Sequence, residues 1–265
     1  VGQFGASVTP EKVKGALKAL GFADVVEVAI GADLCTVEEA EDFLNKVPEQ
    51  QPFMATSCCP AWSVMAKKLF PDFKPYISMA LTPMVLTGRL IKKQKPDAKV
   101  VFIGPCAAKK LEASRKSVRS DIDFVLTFEE VMSMFQAKGI VLEQAMVDEP
   151  FAEGTANGRG FAVSGGVANA VKQCIQKEHP DKEVLIDSAE GLKNCKTMLM
   201  MAKAGKRNGY LLEGMACPGG CVAGAGTLQP VMKSSALVKK YTNEAEKKLA
   251  FESEYLENLA LITKE

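Results

Sequence analysis

The stretch from Leu212 to Gly226, Leu-Glu-Gly-Met-Ala-Cys-Pro-Gly-Gly-Cys-Val-Ala-Gly-Ala-Gly, constrains the chain more than any other. Cys217 and Cys221 are four positions apart, so a helical turn of backbone brings both thiols to one face. Pro218-Gly219-Gly220 lets the chain wrap a compact object closely, because glycine takes conformations closed to other residues. Backbone N–H groups left free in such a turn form a concavity for an anion, of the kind found at phosphate and iron–sulfur sites. In isolation the pair is equally well a glycine-rich turn with two buried thiols, since free cysteine is among the most buried residue types. The other cysteines bear on that choice.

There are 8 cysteines in 265 residues, too sparse for a disulfide scaffold. Their strand-end and turn contexts suit metal or redox chemistry in a reducing, cytoplasmic compartment. A net charge of +1 gives no reason to expect nucleic acid or an anionic membrane as partner. No apolar run nears the roughly 18 residues of a membrane span. The chain opens at Val1 with neither a methionine nor a signal peptide, so we expect a fragment.

Thr9-Pro10 reads as a cap and first helical residue of an amphipathic helix stopped near Gly21. The apolar run Val25–Ile30 predicts a strand, and Thr36-Val37-Glu38-Glu39 predicts a capping box opening a helix to about Val47. On that reading Glu39 is simply a cap. Phe53–Thr56 is a short apolar strand running into Ser57-Cys58-Cys59-Pro60, with Pro60 at the start of a helix to Leu69. A helix start favours the thiolate, the form that binds metal. The same grammar recurs at Lys99–Cys106 and at Gly209–Cys217. Further strand-then-helix units are Phe124–Leu126 with a capping box at Thr127–Glu130, Phe161–Val163 with a helix to Cys174, and Val184–Asp187. Asp148 to Gly160 is polar and glycine-bearing, and reads as a mobile loop.

Alternating strands and helices predict an α/β fold of mainly parallel sheets flanked by helices, with ligands at the carboxyl ends of the strands. Three strand ends then supply Cys58-Cys59, Cys106 and the pair Cys217 and Cys221. With one of the adjacent pair spared, four thiolates remain, the number that holds a [4Fe–4S] cluster. Zinc is the rival, but only one short Cys pair is present and the one histidine, His179, sits in a solvated charged segment. Cys35, Cys174 and Cys195 read as packed core or helix-face residues.

Three segments, Thr56-Ser57-Cys58-Cys59-Pro60-Ala61-Trp62, Pro105-Cys106-Ala107-Ala108-Lys109-Lys110-Leu111-Glu112 and Glu213-Gly214-Met215-Ala216-Cys217-Pro218-Gly219-Gly220-Cys221, resemble the signature segments of the [FeFe] hydrogenases in order and context. Gly31-Ala32-Asp33-Leu34 and Ser164-Gly165-Gly166-Val167 extend the likeness over nearly the whole chain. The resemblance implies one domain over residues 1–265 in two lobes, roughly 1–110 plus the C-terminal segment, and 111–210, with the cofactor in the cleft between them and with the family's N-terminal strand expected ahead of Val1.

Carried over by position, the likeness makes Cys59, Cys106, Cys217 and Cys221 ligands of a cubane, with Cys221 bridging to a diiron subsite that carries CO, CN and a dithiolate. Cys58 becomes the proton donor, fed by a relay through Glu39, Ser78 and Asp42 with Lys46 at the entrance. Lys109 would hydrogen-bond a cyanide. Met215, Ser57, Gly104 and Pro105 would lie against the diiron unit. The implied activity is reversible interconversion of protons plus electrons with H2, with ferredoxin or a partner domain as electron carrier and dedicated maturation factors. Family members usually carry methionine at Gly104, glycine at Ala61, glutamine at Met84, glycine at Ala225, and Glu and Arg at Asp42 and Lys46. These departures mark a divergent branch, so a slow H2 or redox sensor with the same cofactor, and a cubane-only iron–sulfur protein, stand as alternatives.

Overall fold

The computed structural model describes residues 2–5, 7–118, 121–151 and 154–263. In chain order the principal elements are α1 (Pro10–Ala19), α2 (Ala29–Lys46), β1 (Phe53–Ala55), α3 (Pro60–Leu69), α4 (Pro83–Gln94), β2 (Val101–Gly104), α5 (Ala108–Ala113), β3 (Phe124–Thr127) and α6 (Phe128–Ala137). There follow α7 (Ala156–Gly160), α8 (Gly166–Glu178), β4 (Leu185–Glu190), α9 (Leu192–Lys203), β5 (Tyr210–Met215), α10 (Val231–Asn243) and α11 (Leu259–Thr263). Among the described residues no helix is long and apolar enough to cross a membrane.

Two parallel sheets form, as the alternating pattern predicts. One has the order β1-β5-β4 and the other pairs β2 with β3. Successive strand residues point to opposite faces, and the core is sorted accordingly. Phe53, Ala55 and Leu212 meet Trp62, Ala66 and Leu199 of α3 and α9. Met54 and Leu211, one step along, meet Phe43, Val171 and Ile175 of α2 and α8 on the other face. In the smaller sheet Val125 joins α4, while Ile103 and Leu126 face α1 and α6. A boundary near residue 110 falls between β2 and β3, the two strands of one sheet.

Local signals explain several helix starts. Thr9 accepts the Lys12 N–H ahead of Pro10, and Thr127 with Glu130 makes a reciprocal capping box. Three sequence expectations fail. Val25–Val28 pairs with no strand, and α2 starts at Ala29, seven residues before the expected cap. Gly31 permits this early start, because a Cβ there would lie 2.3 Å from the Pro83 carbonyl oxygen of α4. Thr36 is therefore mid-helix, its hydroxyl donating to the Ala32 carbonyl rather than capping. Glu39 has lost its cap role with it. Phe161–Val163 is a turn between α7 and α8, not a strand, and the Ala162 carbonyl accepts the Val222 N–H beside Cys221.

The expected loop from Asp148 to Gly160 contains a helix at its end. Thr155 caps α7 by accepting the Gly158 N–H and donates its own hydroxyl to Asp33 at 2.6 Å. Ala152 and Glu153 lie outside the described residues.

Candidate metal centre

All five cysteines expected at strand ends lie where a strand gives way to a turn. β1 runs through Thr56, whose N–H donates to the Leu212 carbonyl, and delivers Cys58 and Cys59, the latter as N-cap of α3. Trp62, one turn into α3, is fully buried and donates its indole N–H to the Thr56 carbonyl at 2.9 Å. Its ring rests on β5 at Gly214, where a Cβ would come within 2.2 Å. The Cys58-Cys59 turn is thereby fixed to the strand that leads to Cys217.

The other two turns are tied just as closely. The Gly226 N–H donates to the Pro105 carbonyl beside Cys106, and a Cβ on Gly224 would lie 2.4 Å from that oxygen. Between the two thiols of the glycine-rich stretch, the Gly220 N–H closes a turn on the Cys217 carbonyl, and Cys221 opens a short 3-10 segment to Ala223. The Gly219 N–H is held by the Glu190 carboxylate and the Gly219 carbonyl by the Ser164 N–H. Small residues are needed here because backbone meets backbone.

The thiols share one electrostatic environment. Burial first, and then the proximity of Cys59 and Cys106, push the Cys221 thiol up to about 12, while Lys109 pulls the other way. Burial, with Cys106 and Cys59 beside it, also raises Cys217. Among the described residues no three Cys, His, Asp or Glu side chains stand close enough to grip a single ion. A cube with one thiolate on each of four irons spreads its ligands wider than a single tetrahedral ion with metal–sulfur bonds of about 2.3 Å.

Cys58 packs with Cys221 against a buried cluster that includes Met215, Leu34, Cys35 and Phe161. Burial chiefly, then Glu39, Glu213 and Cys221, push its thiol well above the usual range. The expected helix-start preference for thiolate is thus overridden at this residue. Lys109 is nearly buried, donating to Glu112 at 2.8 Å and to the Cys58 carbonyl at 3.3 Å. Glu112 in turn accepts from Thr82 at 2.6 Å. Ser57 donates to the Ala80 carbonyl. Gly104 is buried, and a Cβ there would lie 2.7 Å from the Phe102 ring, so an aromatic edge takes the space beside it. Cys35, Cys174 and Cys195 are buried, as expected of core thiols.

On α2, Glu39 is wholly buried, and its carboxyl oxygens make no hydrogen bond among the described residues. Burial pushes it up to about 8, with Ser78 and the Ser57 N–H the neighbours that pull it down. Asp42, three residues on and half-exposed, pairs with Lys46 at 2.8 Å. A carboxyl that is neutral at pH 7 in the fold but ionised in the unfolded chain has a definite pH signature. The native state binds more protons than the unfolded one between the ordinary 4.5 and about 8, so this contribution to stability is full below 4.5 and is lost as pH rises through 8. Denaturant melts of Glu39→Gln are expected to show a smaller fall in stability from pH 5 to 8 than the parent. Identical slopes would remove Glu39 as the source.

Sequence reading passed over three buried groups here. Glu213 is fully buried on β5 and accepts the Gly165 and Ala168 N–H groups at 2.8 Å each, anchoring the start of α8 to the strand before Cys217. Its signal was a charge inside the apolar run Tyr210–Met215. Glu112 and Trp62 stand in the signature segments, but their roles depend on partners distant in sequence, Thr82 and Gly214.

The chain matches the family described as iron only hydrogenase large subunit, C-terminal domain, over residues 1–225. It is 32% identical over 270 residues to the periplasmic [Fe] hydrogenase large subunit of Nitratidesulfovibrio vulgaris, covering 85% of this chain and 64% of that protein. It is 29% identical to a probable cytosolic Fe–S cluster assembly factor of Aedes aegypti, covering 85% of this chain and 58% of that protein. The chain thus spans less than two thirds of either relative. An apo [FeFe]-hydrogenase variant from Chlamydomonas reinhardtii shares the fold at a TM-score of 0.76 and 23% identity, over 97% of this chain and 84% of that one.

Proposed function

The chain belongs to the iron-only hydrogenase large-subunit family, and from that premise we propose that it interconverts protons plus electrons with H2 at a cubane-linked diiron site. The donor set fits such a group. Four thiols on three interlocked turns can take one iron each. Cys59, Cys106, Cys217 and Cys221 are the proposed ligands. When bound, the diiron unit supplies the centre at which H2 is made or split.

One observation carries the reading beyond a plain iron–sulfur protein. Beside the four thiols stand a fifth thiol, Cys58, a buried ammonium, Lys109, and the unpartnered buried carboxyl of Glu39. A cubane alone needs none of them. Lys109 has two of its three N–H groups engaged by Glu112 and the Cys58 carbonyl, and the third suits an anionic ligand. Cys58, Glu39, Ser78 and Asp42 form the proposed proton path, ending at the half-exposed Asp42–Lys46 pair. The likeness to assembly factors supports a second reading, a cubane-only protein.

Infrared spectroscopy separates the two. Protein matured with the diiron unit is expected to show CO and CN stretches, and chemically reconstituted protein to hold about four irons that Cys106→Ala loses. Matured protein without those bands would leave the cubane-only reading standing. Zinc without sulfide, or an intact cube in Cys106→Ala, would defeat the ligand assignment.

A further inference from the structure

A cavity of about 250 Å³ opens where α7, the first half of α8 and the end of α10 meet. Pockets for cofactors and drug-sized ligands run to about 300–1,000 Å³, so this one suits a smaller molecule. Close packing shuts it on one side, where a Cβ on Gly166 would lie 2.0 Å from the Gly160 carbonyl oxygen. On the other side the Ala156 and Asn157 N–H groups donate to the Lys247 and Lys248 carbonyls, and the Ala250 N–H donates to the Asn157 side chain at 3.0 Å. These bonds tie the loop after α10, which carries Lys248, to α7.

The lining is polar and carries charge of one sign. Asn157, Asn169, Gln173, Thr242 and Lys248 contribute to it, and no carboxylate does among the described residues. Glu252, on the same loop as Lys248, is engaged by the Lys248 and Leu249 N–H groups. Most of the unused capacity is for donating hydrogen bonds. Gln173 accepts from the Asn157 amide at 2.8 Å, so its own NH2 group keeps both hydrogens. Asn169 gives one amide hydrogen to the Gly165 carbonyl and keeps the other. Lys248 has two of its three N–H groups engaged by the Asn243 and Ala245 carbonyls, which hold the ammonium in place with one left. The Thr242 hydroxyl is buried with no partner among the described residues, so it gains by meeting an acceptor.

We propose that this cavity binds a small molecule through an oxyanion, a carboxylate or a phosphate, seated among Lys248, Thr242 and the Gln173 amide. The fixed ammonium supplies a charge-assisted hydrogen bond, and the amides and hydroxyl serve the remaining lone pairs. A cation would meet an ammonium and no carboxylate. An apolar molecule would bury these donors without partners, which is unfavourable. The site lies behind the candidate metal centre. Ala170, which lines the cavity, packs in the buried cluster of Met215 with Cys58 against it, and the N–H groups at the start of α8 are those that Glu213 accepts. The bound molecule therefore rests on the helix that backs Cys58, yet the site is made by none of the four proposed iron ligands and does not depend on the iron–sulfur reading.

Nitrogen-15 NMR on the full chain tests this, with inorganic phosphate and succinate titrated separately at an ionic strength held constant with chloride. We expect the side-chain NH2 signals of Asn157, Asn169 and Gln173 to shift together along one saturable curve with at least one of the two anions. Saturation by phosphate alone marks a phosphate-bearing ligand, and by succinate alone a carboxylate. Gln173→Glu, a nearly isosteric change at an exposed position, puts a negative charge into the cavity and should weaken binding by about tenfold or more. Lys248→Gln should do the same, and Thr242→Val should weaken it by about threefold or more. Lys138→Gln, at the end of α6, should match the parent. Because Lys248 also holds two backbone carbonyls, Gln173→Glu is the deciding variant. Shifts that do not saturate with either anion, or a Gln173→Glu protein that binds as tightly as the parent, would overturn the proposal.

Discussion

Replacing Cys58 by alanine is expected to lower H2 turnover by about 10²-fold or more while iron content and the CO and CN bands stay as in the parent, the scale of a lost general acid–base group. The argument starts from the ligand count. Five thiols meet at three turns and a cube takes four. Cys59 is the N-cap of α3, and its carbonyl accepts the Ser63 N–H. Cys58 instead packs with Met215 and Cys221 on the side of Glu39 and Lys109. A thiol can give and take a proton within hydrogen-bond reach, and a methyl group cannot. The variant removes one sulfur from a residue at the edge of the buried cluster, and a melting curve close to the parent's would confirm that the fold is kept. Retention of more than half the parent's turnover at equal cluster occupancy would mean that protons reach the centre by another route.

Much of this centre was legible before any coordinates, because its residues sit at strand ends and strand ends can be read locally. Thr56–Trp62, Pro105–Glu112 and Glu213–Cys221 each announce themselves by a short apolar run, a turn residue and a thiol. What stayed hidden depends on partners far along the chain. Val25–Ile30 has strand composition, but a strand needs a neighbour and this run finds none. The close approach of α2 to α4 at Gly31 wins instead, together with Asp33, which accepts from both the N–H and the hydroxyl of Thr155. The capping-box reading of Thr36 and Glu39 failed for the same reason, and its failure matters chemically. A capping Glu39 would be hydrogen-bonded to backbone and solvated, whereas Glu39 inside the helix is buried without a well-formed hydrogen bond among the described residues and pushed up to about 8.

The departures from the usual family pattern acquire a physical sense in the same way. Gly104 lies in contact range of Phe102, whose ring occupies space that a longer side chain at 104 would need. Asp42 is one methylene shorter than glutamate, but it holds Lys46 at 2.8 Å one turn along, so the proposed surface end of the proton path keeps an acid–base pair.

Gly220→Ala is expected to destabilise the protein by about 2–6 kcal/mol and to abolish retention of a full cluster. Two independent penalties add. Gly220 has φ +92° and ψ −159°, a region open essentially to glycine alone, where another residue costs about 1–3 kcal/mol. A Cβ at this position would also lie 2.6 Å from the Ser164 backbone nitrogen and 2.9 Å from the Ala162 carbonyl oxygen, and overpacking of this kind costs about 1–3 kcal/mol. Backbone on both sides leaves nothing flexible to give way. The turn that would relax carries Cys217 and Cys221 at its two ends, so half of the proposed ligands move with it. Gly205→Ala separates the two causes, since Gly205 also has positive φ, at +75°, but a Cβ there meets nothing within 4 Å. At about 2–4 °C per kcal/mol, Gly220→Ala should melt roughly 4–24 °C below the parent and Gly205→Ala only a few degrees below it. Iron content after reconstitution should fall well below four in Gly220→Ala alone. A Gly220→Ala protein that melts with Gly205→Ala and keeps its irons would show that the turn can open away from Ser164 without disturbing the thiolates, and that the glycine-rich stretch is not what holds the centre in shape.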